Sequence, residues 1–568
     1  MNRPVHLPKF SDKRDIVEFV DVLASFERGE IGPDEFRAFR LLRGVYGQRQ
    51  ADAQMLRIKI PFGRLGPDQL VAIADVADRY SRGFGHVTTR QNIQLHFLKL
   101  EDSEAAMRRL DEAGLTTREA CGNSVRNVTA CELSEVCKDA PFDVTPHAEA
   151  VVRHFLGHPL SSSLPRKFKI AFSGCGHDCA LGAIHDLGFV ARVQDGRPGF
   201  KVYAAGGLST TPQAAITLQD FLPAEELGRL CEAVVRLFHA LGNRQNKSRA
   251  RLKYVLRKLG EEGFRAKYAE ARAAVDAEAP PPLALPERLD NTPAPPVVHH
   301  GSDPDADYVE WRDSNVVEQR HDGYRAVYIR LVLGDITSHQ LRALAQLLSQ
   351  FGDGTVRLTV DQNLLVPWVD QRSLPAMHAA LSAIDLARAG VHTARDVTSC
   401  PGAETCNLAV TSSRQVARAI ADRLGLSDAG AGRGATIKVS GCPNSCGQHH
   451  IADIGWHGAA KTVDGVTVPM YQLHLGGGVD ENGARFGRQV VKVIAKRVPE
   501  AVAALMSLFE TERTASESPS DYFRRVDPKR VATALGELVS LGPAKGEEVD
   551  VGATTGFEVS IGAGECAS

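Results

Sequence analysis

The sequence predicts a mixed α/β (α+β) fold made of two duplicated modules. The pattern C-x5-C followed by C-x3-C occurs twice, once in each half of the chain. It covers Cys131, Cys137, Cys175 and Cys179 (the first quartet) and Cys400, Cys406, Cys442 and Cys446 (the second quartet). Matching positions, such as Gln91 and Gln362, keep a nearly constant offset over the whole repeat. A constant offset of this kind indicates duplication and fusion of one module.

Each half repeats the order strand, helix, strand before its cysteines. In the first half a strand begins at Arg57, an amphipathic helix covers Asp68 to Tyr80, and a second strand ends in T-T-R-Q-N. The second half has a strand Y-I-R-L-V-L, a helix from Ser338 to Phe351, and a strand that ends in T-V-D-Q-N. These alternating patterns predict both strands and helices in each module.

The segments outside the repeat predict an arm, a linker and a tail. Residues 1–54 are charged and predicted to form a mostly helical arm. Residues 279–296 are rich in proline and predict an extended linker within 276–306. The Gly/Ala/Glu-rich residues 541–568 predict a mobile tail.

Composition restricts the class of protein. A chain of 568 residues requires several domains, and its net charge of -2 argues against a general nucleic-acid or membrane partner. No apolar run approaches the length of a bilayer span, and the first residues lack the apolar core of a signal peptide. We therefore expect a cytoplasmic protein, in which paired cysteines indicate metal binding more often than disulfides.

The second quartet predicts an iron–sulfur cluster. Two pairs of thiolates bind either Zn²⁺ or such a cluster, and C-x5-C is a wide spacing for structural zinc. We expect Gly402, Gly441 and Gly447 to leave room for a bulky cluster, and Pro401 and Pro443 to stiffen the loops. Zinc and ordinary core thiols are the alternatives.

A set of cations in the first half predicts an anion site. Its members are Arg57, Arg90, Arg126, Lys167 and Lys169. Positions two apart on a strand face the same side, so the two lysines are expected to converge. The matching positions in the second half are Tyr328, Asp361, Arg395, Gly434 and Thr436, of which one is cationic. Each cation alone is typical of a solvated surface, but the set favours a pocket for a polyanion.

With these motifs the chain resembles the assimilatory sulfite/nitrite reductase haemoprotein family. S-G-C-P-N-S-C-G is highly specific, and M-L-R, T-T-R-Q, R-N-V, L-P-R-K-F-K and the basic stretch N-R-Q-N-K-S-R-A-R-L-K-Y support it over about residues 45–540. The resemblance implies two modules related by a pseudo-twofold axis. Each module has a ferredoxin-like half-domain (55–115 and 307–385) and an α/β cofactor domain (116–275 and 386–540).

The resemblance also implies cofactors and site residues. Cys400, Cys406, Cys442 and Cys446 would hold one [4Fe–4S] cluster, and Cys446 would share its sulfur with the iron of sirohaem, a tetrahydroporphyrin rich in carboxylates. The implied catalytic residues, which hold the substrate oxyanion, are Arg57, Arg126, Lys167 and Lys169. The implied cofactor-binding residues, near the macrocycle carboxylates or the cluster loop, are Arg90, Gln362, Asn444 and Cys446.

The same resemblance suggests the substrate and the electron donor. Sulfite-reducing members usually carry K-x-K where nitrite-reducing members tend to have Asn at the second position, so Lys169 favours six-electron reduction of sulfite to sulfide. Reduction of nitrite to ammonia is the alternative, and a zinc-stabilised scaffold without enzymatic activity is a remote one. No flavin or nicotinamide motif is visible, so a ferredoxin or a separate flavoprotein subunit is expected as donor.

The sequence leaves the roles of three features open. The first quartet is either a second cluster, as in relatives where both repeats carry one, or a relic of duplication. Glu132 and Gly176 replace the flanking prolines there and favour the relic. The basic segment 244–258 predicts a helix that is solvated, faces a cofactor, docks an acidic donor or contacts nucleic acid. We interpret His299-His300 and His449-His450 as linker and loop residues rather than ligands.

Overall fold

In the part of the chain that the structure describes, four five-stranded sheets form the body of the protein, two built mainly from each half of the chain. The computed structural model describes residues 7–286, 298, 305–425, 434–562 and 564–565. Among these residues, no helix combines the length and the apolar character needed to cross a membrane.

The N-terminal arm contains two helices, α1 (Lys13–Glu27) and α2 (Pro33–Leu42). Asp12 caps α1 by accepting a hydrogen bond from the backbone N–H of Arg14 at 2.9 Å. The helix buries Ile16, Phe19 and Leu23 on one face. The arm therefore packs into the core rather than standing apart from it.

The first ferredoxin-like unit follows directly. Its elements are β1 (Val45–Gly47), β2 (Gln54–Ile58), β3 (Arg64–Leu65), α3 (Pro67–Tyr80), β4 (Phe84–Val87), β5 (Ile93–Leu98) and α4 (Ser103–Glu112). Because β1 pairs with β2, the sheet begins inside the segment that the sequence predicts to be the arm.

The first cofactor-type domain has a sheet with both strand directions. Its elements are β6 (Val125–Ala130), α5 (Thr145–Phe155), β7 (Phe168–Ser173), β8 (Leu187–Gln194), β9 (Arg197–Ala204), β10 (Ile216–Pro223), α6 (Leu227–Leu241) and α7 (Leu252–Glu278). Strands β6, β7 and β8 are parallel, and β9 and β10 continue the sheet antiparallel. Helix α7 starts at Leu252, so the predicted basic helix begins several residues later than residue 244.

The second half repeats the ferredoxin-like unit. Its elements are α8 (Ala306–Asn315), β11 (Val316–Glu318), β12 (Tyr324–Ile329), β13 (Asp335–Thr337), α9 (Ser338–Leu347), β14 (Val356–Leu358), β15 (Leu364–Asp370) and α10 (Leu374–Ser382). The predicted linker precedes it. Residues 279–286 of that linker have no regular secondary structure, and most of the remainder lies outside the described residues.

The second cofactor-type domain completes the chain. Its elements are β16 (Thr398–Ser399), α11 (Ser413–Gly425), β17 (Ile437–Ser440), β18 (Ile454–Val463), β19 (Val466–Leu475), β20 (Gly478–Asp480), β21 (Gly483–Arg485), β22 (Arg488–Ile494), α12 (Val498–Glu512), α13 (Pro519–Arg525) and α14 (Pro528–Leu535). Its main sheet has the order β16-β17-β18-β19-β22, with the first three strands parallel, as in the first half.

The two ferredoxin-like units exchange edge strands. Strand β13 of the second half pairs with β4, where Ile336 lies opposite Gly85, and β3 of the first half pairs with β14, where Val356 lies opposite Leu65. Helices α3 and α9 pack together, and both units share one hydrophobic core. This reciprocal exchange confirms the predicted duplicated, mixed α/β architecture.

Two carboxylates attach the C-terminal segment to the rest of the chain. Asp550 accepts a hydrogen bond from the backbone N–H of Ser412 at 2.7 Å, beside the second quartet. Glu565 pairs with Arg40 and accepts from the N–H of Gly47 at 2.7 Å. These contacts attach two points of the segment that the sequence predicts to be a mobile tail, and its mobility stays a prediction.

Candidate active site

Parallel strands bring the second quartet together. Cys400 follows β16 directly and Cys442 lies just beyond β17, and the two strands are paired with Ser399 opposite Val439. The carboxyl ends of parallel strands meet at one edge of a sheet, so both cysteine loops lie at that edge. The Sγ of Cys400 accepts a hydrogen bond from the N–H of Gly441 at 3.2 Å, across the two loops.

The glycines next to the second quartet let the two cysteine loops approach each other closely. A Cβ at Gly441 would lie 2.7 Å from the carbonyl oxygen of Thr411 and 2.9 Å from the Cα of Gly402. A Cβ at Gly447 would lie 2.1 Å from the carbonyl oxygen of Val439. These glycines let two backbones approach closely, and the expectation that they leave room for a cluster stays a prediction.

The four thiols of the second quartet influence one another electrostatically. Burial raises the pKa of Cys442, and the nearby Cys446, Cys400 and Cys406 raise it further. Four mutually repelling thiolates need a cation between them, and metal ligation requires the deprotonated form. Cys446 is the exposed member of the quartet, while Cys400 and Cys442 are buried.

A group of cations faces the exposed cysteine. Burial lowers the pKa of Lys169 well below its usual value, and the positive charges of Arg90, Arg251 and Lys167 lower it further. The thiol of Cys446 acts in the opposite direction, so Lys169 lies within electrostatic reach of the second quartet. The site thus brings together first-half cations and a second-half sulfur, which are far apart in the sequence.

Local strand structure explains the paired lysines. Phe168, between them, is fully buried in the core of the first cofactor-type domain. Lys169 is therefore on the opposite face of β7, and its backbone N–H donates to Asp186 at 2.9 Å. Lys167 lies close enough to Lys169 to lower its pKa, in agreement with the predicted convergence.

Arg57 and Arg126 meet at one carbonyl group. The Nη1 of Arg57 donates to the carbonyl oxygen of Ala120 at 3.4 Å, and the Nη1 of Arg126 donates to the same oxygen at 3.2 Å. The Nε of Arg126 also donates to the carbonyl oxygen of Gly122, at 2.8 Å. Both guanidinium groups are half-buried. The structure thereby brings together the two arginines expected at the substrate.

Arg90 is held by the cofactor-type domain of its own half. It donates to the hydroxyl of Thr129 at 3.0 Å and the carbonyl oxygen of Ile170 at 3.1 Å, and it contacts His185. Burial lowers its pKa to about 9, against the charge of Asp186, which raises it. Arg90 therefore fixes β6 and β7 beside the cationic group.

The side-chain amide of Gln362 holds β16, the strand that precedes Cys400, through both its oxygen and its nitrogen. Its oxygen accepts from the N–H of Ser399, next to Cys400, at 2.9 Å, and its nitrogen donates to the carbonyl oxygen of Val87 at 2.9 Å. Gln91 repeats this beside Cys131, where its oxygen accepts from the N–H of Ala130 at 3.0 Å. Sequence reasoning expects Gln362 at the cofactor, and the structure places its amide on the backbone that carries a cysteine.

Two contacts join the halves at the cysteine loop. The hydroxyl of Thr89 donates to the carbonyl oxygen of Cys446 at 3.2 Å. The hydroxyl of Ser209 donates to the side-chain oxygen of Asn444 at 3.4 Å. Asn444 is half-buried between the first and second halves. These contacts fix Cys446 against the loop that carries Arg90.

The structure adds residues that sequence reasoning did not single out. Arg251 forms a buried ion pair with Asp186, with Nη2 and Nε at 2.7 and 3.2 Å from its two oxygens. Lys253 is fully buried and donates to the carbonyl oxygens of Leu208 and Thr211 at 2.5 and 2.7 Å. The sequence feature that could have identified Arg251 and Lys253 is the basic stretch 243–254. Its last members face the site, while its first members are exposed.

The four thiols of the first quartet lie close to one another. The Sγ of Cys179 contacts that of Cys131 at 2.8 Å, and hydrogen bonds from Cys137 and Cys179 lower the pKa of Cys175 to about 2. These contacts bring the thiols of the first quartet together, and the interpretation of this quartet as a relic without a second cluster stays a prediction.

Comparison with known proteins matches both kinds of unit. The model of the nitrite and sulphite reductase 4Fe-4S domain matches residues 121–276 and 390–526. The model of the nitrite/sulfite reductase ferredoxin-like half domain matches residues 46–113 and 317–384. Each model thus matches once in each half, as the duplicated sheets require.

Individual relatives divide between two substrates. A ferredoxin–nitrite reductase of Synechococcus elongatus is 33% identical, with 80% of this chain and 85% of that protein covered. A sulfite reductase [ferredoxin] of Mycolicibacterium paratuberculosis is 29% identical, with 84% and 83% covered. The structure of the Mycobacterium tuberculosis NirA protein superposes with a TM-score of 0.75 at 27% identity, covering 91% of this chain and 97% of that one.

The residues present fit the cofactors of this family, sirohaem and a [4Fe–4S] cluster. The second quartet supplies four thiols at one sheet edge. Burial and, after it, the charges of Arg90, Arg251 and Lys167 lower the pKa of Lys169, and this excess of positive charge suits a polyanion such as the carboxylate-rich macrocycle. A zinc scaffold has no use for these cations, and the matched relatives are reductases. The chain belongs to the nitrite and sulfite reductase family of oxidoreductases, with the 4Fe-4S domain and the ferredoxin-like half-domain each present twice.

Proposed function

We propose that the chain reduces sulfite to sulfide, with Lys169 as the residue that decides the substrate. The supporting observation is the position of Lys169, half-buried on β7 within electrostatic reach of Cys446, Lys167, Arg90 and Arg251. Sulfite is a dianion and nitrite a monoanion, so an added fixed cation stabilises bound sulfite more. When bound, sirohaem and the cluster would carry the six electrons from the external donor to the oxyanion, and Cys446 is the residue proposed to hold both groups.

The chain's own residues bind the oxyanion and deliver protons. Arg57 and Arg126, which share the carbonyl oxygen of Ala120, are fixed donors for substrate oxygens. Lys167 and Lys169 are proposed to supply protons, because each oxygen atom leaves as water. Burial and the neighbouring cations lower the pKa of Lys169, which makes its ammonium a stronger proton donor than that of an exposed lysine.

The remaining assigned residues position the cofactors. Asn444 and Arg90 are proposed to orient the macrocycle carboxylates, and Gln362 to hold the strand that ends at Cys400. Cys400, Cys406 and Cys442 are proposed as the other cluster ligands. A ferredoxin is the proposed electron donor, because relatives from Synechococcus and Mycolicibacterium are named for it, and the cytoplasm the proposed compartment.

Reduction of nitrite to ammonia is the second candidate. It is favoured by one specific observation, the 33% identity with a ferredoxin–nitrite reductase over 80% of this chain. Both reactions use six electrons and the same cations, so the two activities differ in how strongly the pocket prefers a dianion.

Replacement of Lys169 by Asn tests the proposal. Turnover of sulfite and of nitrite is measured with a reduced viologen donor, for the parent, Lys169→Asn and the control Lys258→Asn, which removes an exposed lysine. A hydrogen bond to a charged group contributes about 1.5–3 kcal/mol, so kcat/KM for sulfite should fall by roughly 10–100-fold in Lys169→Asn. In Lys169→Asn, kcat/KM for nitrite should change by less than about threefold. In the Lys258→Asn control, kcat/KM should change by less than about threefold for either substrate.

Two results decide against the proposal. Equal losses for sulfite and nitrite in Lys169→Asn would mean that Lys169 does not discriminate between them. A parent enzyme that prefers nitrite over sulfite in kcat/KM would favour the second candidate. Sirohaem absorbance and iron content, measured on each variant, show that the cofactors are still bound.

A further inference from the structure

Four histidines pack together beside the second quartet. His449 and His450 lie on a short 3-10 helix (His449–Ile451), three residues after Cys446, while His457 is on β18 and His474 on β19. The ring centroid of His449 is 4.1 Å from that of His450, 4.8 Å from His457 and 4.9 Å from His474. The proposed function gives this cluster no role.

The local sequence is shaped to bring these rings together. His474 pairs directly with Gly455, and a Cβ on that glycine would lie 1.9 Å from the carbonyl oxygen of His449. The glycine therefore lets the short helix rest on the sheet next to His474. His457 is two residues along β18 from Gly455 and hence on the same face of the sheet.

Three of these histidines have a geometry suited to ligands. One ring nitrogen each from His449, His450 and His474 lie within 4.8 Å of one another, and all three residues are buried. Zinc–nitrogen bonds are about 2.0–2.1 Å, so each nitrogen needs to move by roughly 1 Å or less to reach a shared ion. Rotation of an imidazole ring is enough for such a movement.

Backbone carbonyl groups orient two of the rings. The Nε2 of His450 donates to the carbonyl oxygen of Ser209 at 3.1 Å, which leaves the lone pair on Nδ1. The Nδ1 of His474 donates to the carbonyl oxygen of Gly487 at 3.4 Å, so its Nε2 carries the lone pair, which accepts from the Nδ1 of His457 at 2.8 Å; a bound ion would take the place of that donor. Metal-binding histidines characteristically donate their second nitrogen to a carbonyl or carboxylate in this way.

His449 supplies an independent indication of a missing ligand. Its side chain is 0% exposed, yet neither ring nitrogen has a hydrogen-bond partner among the described residues. A buried polar group left without a partner costs about 1–3 kcal/mol. Burial also lowers the pKa values of His450 and His474 to about 4 and that of His449 well below its usual value. The rings are therefore neutral near pH 7, and neutral imidazole is the form that binds metals.

We propose that His449, His450 and His474 bind one divalent transition-metal ion of the zinc type, at a site distinct from the cluster. Imidazole ligands suit Zn²⁺, Cu²⁺ and Ni²⁺ and not Mg²⁺ or Ca²⁺, which prefer oxygen. The three nitrogens leave one position of a tetrahedral site for His457 or for water. The ion would also connect the loop of Cys446 with β19, since His449 and His474 belong to these elements.

A second group of side chains provides a matched control. His154, His158 and Glu232 also place their ligand atoms within 4.8 Å of one another. Glu232, however, already pairs with Arg236 at 2.8 Å and contacts His154 at 3.1 Å. Its charge is neutralised by the arginine, so this group is not expected to retain an ion.

The test measures zinc in the intact holoprotein. Protein produced without a histidine tag is dialysed against Zn²⁺, and bound zinc and iron are measured by mass spectrometry for the parent, His474→Gln, His450→Gln and His154→Gln. We expect about one zinc per chain in the parent and in His154→Gln, with affinity at least about tenfold lower in His474→Gln and His450→Gln. Iron and sirohaem contents should be unchanged.

The outcomes are distinct. A parent that binds no zinc above background overturns the proposal, as does a His474→Gln or His450→Gln variant that binds zinc like the parent. Zinc lost only in His154→Gln would place the ion at the other group and equally overturn it. If one variant loses its sirohaem, the other decides, because His450 and His474 lie on different elements.

Discussion

The ion pair between Asp186 and Arg251 is expected to be one of the most sensitive points of the first cofactor-type domain. Asp186 is 0% exposed and the side chain of Arg251 8% exposed, and the two are joined by contacts of 2.7 and 3.2 Å. Asp186 also accepts from the N–H of Lys169 and opposes the positive charge around Arg90. In Asp186→Asn, an amide N–H group faces the guanidinium and the negative charge is lost.

Removal of one partner of a buried ion pair costs about 3–5 kcal/mol, because the other charge stays buried without compensation. For a domain of this size, each kcal/mol lowers the unfolding temperature by about 2–4 °C, so a decrease of roughly 6–20 °C is expected. Calorimetry of the holoprotein is the suitable assay, because all 3 tryptophans lie in the second half and fluorescence would not report on this domain.

The repeat provides the control. Asp453 occupies the matching position, is 1% exposed, and accepts from the N–H of Thr436 at 2.8 Å and the hydroxyl of Ser520 at 2.6 Å. Loss of hydrogen bonds from these neutral groups costs about 1–2 kcal/mol in Asp453→Asn. If Asp186→Asn destabilised the protein no more than Asp453→Asn, the buried charge would not be the cause, and the reasoning would be wrong.

Two further predictions concern the cofactors. Gln362→Leu should lower both the stability and the content of acid-labile sulfide, because it leaves the N–H of Ser399 beside Cys400 without its partner. Gln91→Leu, the matching change in the first half, should lower stability alone. Equal sulfide contents in the two variants would contradict this prediction. Burial lowers the pKa of Lys253 to about 7, and a bound polyanion should raise it again, so that binding takes up a proton. Affinity of the apoprotein for a polycarboxylate porphyrin, followed by absorbance, should therefore fall as pH rises from 7 to 9, by up to about tenfold per pH unit. Lys253→Met should remove part of that dependence, and an unchanged pH profile would show that Lys253 does not take part.

The sequence by itself determined the duplication, the class of fold and the identity of the second quartet. These features are local or periodic: cysteines at fixed spacing, apolar residues with helix or strand period, and a constant offset between halves. The position of Lys167 and Lys169 on one side of the chain could also be predicted from the sequence, because alternation along a strand places both opposite Phe168.

The tertiary structure decided which residues meet. The exchange of β3 and β13 between the halves, the ion pair of Arg251 with Asp186, and the histidine cluster join positions far apart in the chain, and strand pairing rather than local pattern sets those contacts. It also showed which backbone groups Gln362 bonds and which loops approach each other at Gly441 and Gly447, because hydrogen bonding and close backbone approach depend on neighbours that only the folded chain supplies.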